Sequence, residues 1–242
     1  MIDQQLEIPT KDGSTTTFIT HPERGGPFPV IIFYMDAPAI REELRDMARR
    51  LATSGYYVML PNLYYRSGVM DIGPVPADPN APERKRMYEL MGSINIPLIM
   101  DDTRALLAFA EGQAAANTKL VGTVGYCMSR YAINAATHFA DRVKAAASIY
   151  GTHLATDQAD SPHLAASKTK AELYFACAET DIYAPAEIIE KVKEGMNGAK
   201  AEVEIYPGTH HGFAFPKRPV FHRDAAERHW ERLLALYRRN LV

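Results

Sequence analysis

The run from Phe28 to Met35, FPVIIFYM, is apolar throughout and rich in β-branched and aromatic residues. A strand with one wet face alternates apolar and polar residues, so an unbroken apolar strand is one covered on both faces, as in the mostly parallel sheets of α/β proteins. The flanking pattern agrees. Ile40, Leu44, Met47, Ala48 and Leu51 recur at helical spacing over 40 to 54, and Gly55 stands where that helix would stop. Tyr56 to Leu60 reads as the next strand. Further strands are expected at 119 to 126, 144 to 150, 171 to 177 and 201 to 206. Helices are expected at 83 to 92, at 98 to 112, from Met128 onward, near 185 to 195 and near 222 to 240. Such alternation gives an α/β fold, a mostly parallel, doubly covered sheet with helices on both faces. Residues 4 to 9 and 15 to 20 read as two short strands around Lys11-Asp12-Gly13, whose Asp-Gly pair signals a hairpin and so an antiparallel entry. Residues 61 to 81, rich in Pro, Gly, Asn and Asp, read as a long irregular loop of the kind that shapes binding sites.

Composition narrows the function classes. A chain of 242 residues can bury roughly 70 to 75% of the surface its unfolded form exposes, enough for one core, and one domain over 1–242 is expected. The 27 basic residues nearly balance the 29 acidic ones, so there is no electrostatic footprint for nucleic acid or an anionic membrane, and small neutral or singly charged ligands are the expected partners. The first residues, MIDQQLEIPTKDG, are polar and acidic where a secretory signal needs a basic patch and an apolar run. The longest apolar runs fall far short of the roughly 20 residues of a membrane span. Cys127 and Cys177 make no disulfide framework, and a cytoplasmic location is expected.

The chemistry is concentrated at Gly125-Tyr126-Cys127-Met128-Ser129, where a strand ends and a helix begins with small residues two places either side of Cys127. That is a nucleophile elbow with Cys in the Ser position. The turn strains the nucleophile's backbone, and small neighbours are needed because strand and helix approach closely there. Ser129 stands where Gly is usual, and the bulky Arg130 follows it. Asp181 comes just after a later predicted strand and His211 after the next, so the order is nucleophile, acid, base, each at the strand ends where open α/β sheets bind ligands. A free thiol is mostly protonated at pH 7. An imidazole must therefore take its proton while a carboxylate fixes the imidazole.

The segments GYCMS, AETDIYAP and YPGTHHGFAFP resemble the three catalytic segments of the dienelactone hydrolase family, and FYMDAPAIREELRDMARRLATSGYYVMLPNLYYR resembles its oxyanion-loop region. The similarity runs from about residue 28 to the C-terminal helix. It implies an α/β-hydrolase fold and an ester or lactone hydrolase with Cys127 as nucleophile, His211 as base and Asp181 as its orienting acid. The resemblance also places Asp36 beside the resting thiol, one methylene shorter than the family's Glu. The backbone N–H groups of Met128 and Ala37 become the oxyanion donors, the first also by the elbow rule. By position Arg84 and Tyr88, spaced i to i+4 on one helix, match substrate-holding residues. Phe215 stands where a second substrate-binding arginine would be, which weakens the expected preference for carboxylate-bearing lactones.

Plainer readings stand beside these. His210 is adjacent to His211 and could serve as the base; Asp36 could only cap or turn its loop; Arg84, Lys85 and Arg86 could be a solvated face. Cys177 lies within a predicted strand and reads as a small buried hydrophobe. His222 and His229 share a helix face without further ligands, so they read as a surface pair, and no metal or other cofactor is expected. Two further readings remain open: a general short-chain carboxylesterase with the same triad, and a non-catalytic binding protein in which Arg130 crowds the elbow.

Overall fold

In the computed structural model, which describes every residue except 77 and 79, the apolar run forms strand β3 (Phe28–Tyr34) at the middle of an eight-stranded sheet. Val30 to Tyr34 are fully buried, which is why that strand contains no polar residue. The chain begins with β1 (Ile2–Thr10) and β2 (Gly13–His21), an antiparallel hairpin turning at Lys11-Asp12. After β3 come α1 (Glu42–Thr53), β4 (Tyr57–Pro61), α2 (Pro82–Gly92), α3 (Ile96–Glu111) and β5 (Ala116–Tyr126). The rest is α4 (Arg130–His138), β6 (Val143–Ile149), β7 (Glu172–Thr180), α5 (Ala186–Gly195), β8 (Ala201–His210) and α6 (Arg223–Asn240). Spatial order is β1-β2-β4-β3-β5-β6-β7-β8, antiparallel as far as the β2–β4 pair and parallel from β4 to β8. No helix among the described residues is long and apolar enough to cross a membrane.

Strand alternation shows which helix covers which face. On β5, Thr123 donates its hydroxyl to Ala132 O on α4, and a Cβ on Gly125 would strike Ser129 and touch Ala132. On either side of them, Gly122 and Tyr126 meet α6: a Cβ on Gly122 would lie 2.8 Å from Tyr237, and the Tyr126 hydroxyl is 2.9 Å from His229 Nε2. Successive residues of a strand point to opposite faces, so α4 and α6 cover opposite sides of the sheet. Tyr34 of β3, bonded through its hydroxyl to Thr103 of α3, adds α3 to the α4 side. Arg50 of α1 pairs with Glu227 of α6 and stacks over Trp230, which puts α1 on the other.

Two expectations need correction. The helix after the elbow starts at Arg130 rather than Met128, because Cys127 has φ 60 and Met128 and Ser129 complete the turn before regular helix begins. His229 is no surface residue. It is fully buried against Tyr126, and burial pushes its ring down to about 3, while His222 caps α6 by accepting from Ala225 N.

The closest approach of sheet and helix is at Gly125, where an added Cβ would sit 2.6 Å from the Ser129 Cα. That neighbour is backbone and cannot rotate away. Gly125→Ala is therefore expected to lose about 1 to 3 kcal/mol of stability in urea denaturation, the usual cost of overpacking. A loss below about 0.5 kcal/mol would mean that β5 and α4 are not held in contact there.

Candidate functional site

Sheet register assembles the site before any side chain is considered. On the β7–β8 ladder Thr180 pairs with His210, so the next residues, Asp181 and His211, emerge side by side. On β3–β5, Tyr34 pairs with Gly125, which brings the loop of Asp36 and Ala37 beside Cys127. On β5–β6, Tyr126 pairs with Ile149, setting Tyr150 next to the elbow. All these residues lie at the C-terminal ends of parallel strands.

The elbow is locked by its backbone. Cys127 occupies the left-handed region at φ 60, its N–H donates to Ile149 O at 3.1 Å, and its carbonyl accepts from Thr152 N at 2.7 Å. Such a conformation costs a non-glycine residue about 1 to 3 kcal/mol and persists only where neighbours over-determine it. Ser129 fits in place of the usual glycine because its hydroxyl, fully buried, bonds Ser148 Oγ at 2.6 Å and the space comes from Gly151. A Cβ on Gly151 would lie 2.2 Å from Ser129 Oγ. Arg130 does not crowd the turn. Its guanidinium reaches Tyr131 Oη at 2.8 Å and lies over that ring.

His211 Nδ1 bonds Asp181 Oδ2 at 2.7 Å, and the second oxygen, Asp181 Oδ1, accepts from Tyr183 N at 2.9 Å. His210, a residue of the β8 ladder, is exposed. With Nδ1 occupied, Nε2 is the nitrogen left for the Cys127 thiol. Burial pushes the His211 ring down, but hydrogen bonding and charge from Cys127 and Asp181 outweigh it and hold the imidazolium up to about 10. Tyr150 and Tyr183 wall the ring edge-on, with centroids at 5.1 and 4.8 Å. Cys177, by contrast, is buried in β7 with its thiol pushed up to about 12 by burial.

Ala37 and Met128 converge on one atom. The Tyr64 hydroxyl is 3.2 Å from Ala37 O and 3.5 Å from Met128 Sδ. The N–H groups of Ala37 and Met128 donate to no protein acceptor among the described residues, so both are free to meet a developing oxyanion.

Asp36 departs from expectation. It is fully buried, and its oxygens are taken by Arg41 (2.6 Å to Oδ1, 3.2 Å to Oδ2) and by Arg218 (2.6 Å to Oδ2) rather than by the thiol. Glu43 joins the cluster, accepting from Arg41 Nε at 3.0 Å and from Lys217 N at 3.1 Å. Two cations thus face two carboxylates. Phe215 does not line a pocket either: it is fully buried, with the guanidinium carbons of Arg41 and Arg218 4.8 and 4.9 Å from its ring centre. On α2, Arg84 donates to Pro76 O at 2.7 Å, and Tyr88 reaches the site indirectly, its hydroxyl 2.9 Å from that of Tyr183.

Tyr64, Tyr183 and Arg41 lie inside the family-like segments without having been singled out, and Tyr150 and Arg218 lie outside them. Tyr150 is twice anomalous: φ 36 for a bulky residue, and a buried hydroxyl with no hydrogen-bond partner among the described residues. Its position as the last residue of the expected strand 144 to 150 was the available signal.

Comparison with known proteins identifies the family and the fold. The sequence profile of the dienelactone hydrolase family matches residues 15–241. A protein of Methylorubrum extorquens named "Putative carboxymethylenebutenolidase" is 28% identical over 244 residues, covering 98% of this chain and 81% of that one. An Escherichia coli protein of the same name is 27% identical over 240 residues, covering 96% and 84%. The crystal structure titled "Putative Dienelactone Hydrolase" from Klebsiella pneumoniae superposes with a TM-score of 0.86 at 24% identity, covering 98% of each chain. That likeness shows the fold.

An orphaned hydroxyl and a paired one should answer differently to removal. Tyr126→Phe leaves buried His229 without its partner and is expected to lose about 1 to 3 kcal/mol, whereas Tyr150→Phe removes an unpaired group and is expected to be neutral or stabilising. Urea denaturation of the two variants checks this; equal losses would show that the Tyr150 hydroxyl is paired in solution.

Proposed function

Because the chain belongs to the dienelactone hydrolase family, we propose that it is a one-domain, cofactor-independent enzyme that hydrolyses small esters or lactones through Cys127, His211 and Asp181. The observation that carries this reading is the His211 ring, bonded to Asp181 at 2.7 Å and facing the Cys127 thiol on its strained elbow. An imidazolium beside a cysteine stabilises the thiolate, which is the nucleophilic form.

The reaction follows from these groups. The Cys127 thiolate attacks the carbonyl carbon, and the N–H groups of Met128 and Ala37 hold the resulting oxyanion. Collapse expels the alkoxide, which takes the His211 proton and leaves a thioester on Cys127. Neutral His211 then removes a proton from water, the hydroxide attacks the thioester, and collapse releases the carboxylic acid and restores the thiolate. Asp181 holds the ring in one tautomer throughout.

The charge inventory favours a neutral substrate. Arg41 and Arg218 are matched by Asp36 and Glu43, so they offer little to a substrate carboxylate, while Arg84 adds positive charge near Tyr183. A neutral ester leaves no buried charge unpaired. A general carboxylesterase is the second reading, favoured by the same inventory; Arg130 turning away from the elbow removes the motive for a non-catalytic binding protein. A reducing cytoplasm would keep the thiol free.

Cys127→Ala is expected to abolish hydrolysis of p-nitrophenyl esters and unsaturated lactones while leaving circular dichroism unchanged; near wild-type turnover would end the proposal. Alkylation by iodoacetamide tests the ion pair. Hydrogen bonding and charge from Cys127 and Asp181 favour the His211 imidazolium, so wild-type Cys127 is expected to be labelled readily at pH 7. In His211→Asn the rate at pH 7 is expected to fall about tenfold and to recover through the ordinary thiol range near ~8.5. One shared profile for both proteins would contradict a thiolate–imidazolium pair.

A further inference from the structure

Tyr64 has no part in the triad, yet it stands between both halves of the oxyanion site. Its side chain is fully buried and its hydroxyl lies within 3.2 Å of Ala37 O, on the loop after β3, and 3.5 Å of Met128 Sδ, on the elbow. It arrives there on a fixed backbone: Asn62 Oδ1 accepts from Tyr64 N at 3.0 Å, Asn62 Nδ2 donates to Val69 O at 2.9 Å, and Thr15 Oγ1 donates to Asn62 O at 2.8 Å. Burial, and the negative charge of Cys127 and Asp36, raise the phenol well above its ordinary range, so it stays a neutral donor beside the thiol.

A phenol has one proton. Ala37 O is the stronger acceptor and the thioether the weaker, so the hydroxyl anchors the Ala37 carbonyl while its oxygen packs against the Met128 side chain. Pro38 follows Ala37 and already restricts it to extended geometry. A single added bond then fixes where residue 37 sits relative to residue 128. An oxyanion needs its donors about 2.7 to 3.1 Å from where the charge will develop, so a small error in that spacing is felt only in the transition state.

We propose that Tyr64 is a positioning residue that sets the separation of the two oxyanion donors, Ala37 N–H and Met128 N–H, by tying their segments together through its hydroxyl. This rests on the hydrolase reading given above. It predicts that the hydroxyl matters to transition-state stabilisation and not to substrate binding or to the state of the thiol.

The test is Tyr64→Phe, read with a p-nitrophenyl ester, with a trifluoromethyl ketone carrying the same acyl group, and with iodoacetamide. The expected result is a kcat lower by about 10- to 100-fold, a part of what losing a whole donor costs, with KM and Cys127 alkylation within twofold of wild type. The ketone, whose thiolate adduct carries the oxyanion, should lose affinity by the same factor as kcat. A kcat within twofold of wild type in Tyr64→Phe overturns the inference, as does a matching fall in alkylation, or a variant that does not fold, which would make Tyr64 structural. Wild-type protein that neither hydrolyses the ester nor takes up the ketone would instead sink the underlying hydrolase reading, and this inference with it.

Discussion

The close approach of β5 to α4 through a left-handed cysteine is the constraint on which the rest of the site depends. Cys127 can hold φ 60 only because its N–H and carbonyl are fixed by Ile149 and Thr152, and because Gly125 and Gly151 leave room for Ser129. From that fixed turn the thiol is presented at the edge of the sheet, and the parallel register of β3, β7 and β8 delivers the other groups to it. Strain at one residue and register across several strands thus accomplish together what no local sequence could.

Around this point the charges are arranged in two separate systems. Asp181, His211 and Cys127 form one, in which the imidazolium is favoured by its neighbours against burial. Asp36, Arg41, Arg218 and Glu43 form the other, a closed cluster that ties the loop after β3 to the segment after His211, with Phe215 between the guanidiniums. Breaking such a buried cluster by removing one member leaves an uncompensated charge. Its consequence for function is indirect: it holds the loop of Ala37 and the segment after His211 in place.

Much of the fold was legible in the sequence, because hydrophobic periodicity and strand-helix alternation report it directly. FPVIIFYM, the Asp-Gly hairpin and the alternation after residue 116 each found their element. The positions of Cys127, Asp181 and His211 at strand ends were legible for the same reason. What was hidden depends on contacts between distant segments. Asp36 looked like a partner of the thiol until Arg41 and Arg218 were seen to claim it, and Phe215 looked like a pocket residue until its burial between them was seen. His229 looked like a surface residue because nothing in α6 alone reveals that it faces Tyr126. Tyr64 is one tyrosine among 13, and only the fold shows that its hydroxyl meets both Ala37 and Met128.

The central claim is that hydrolysis passes through a thioester on Cys127. Rapid acid quench of the enzyme turning over a p-nitrophenyl ester, followed by peptide mass spectrometry, tests it most directly. The account predicts an acyl mass on the peptide that contains Cys127, appearing with the first burst of p-nitrophenol and decaying as the ester is consumed. Steady hydrolysis with no acyl group on Cys127 at any time, or with the group on another residue, would contradict it.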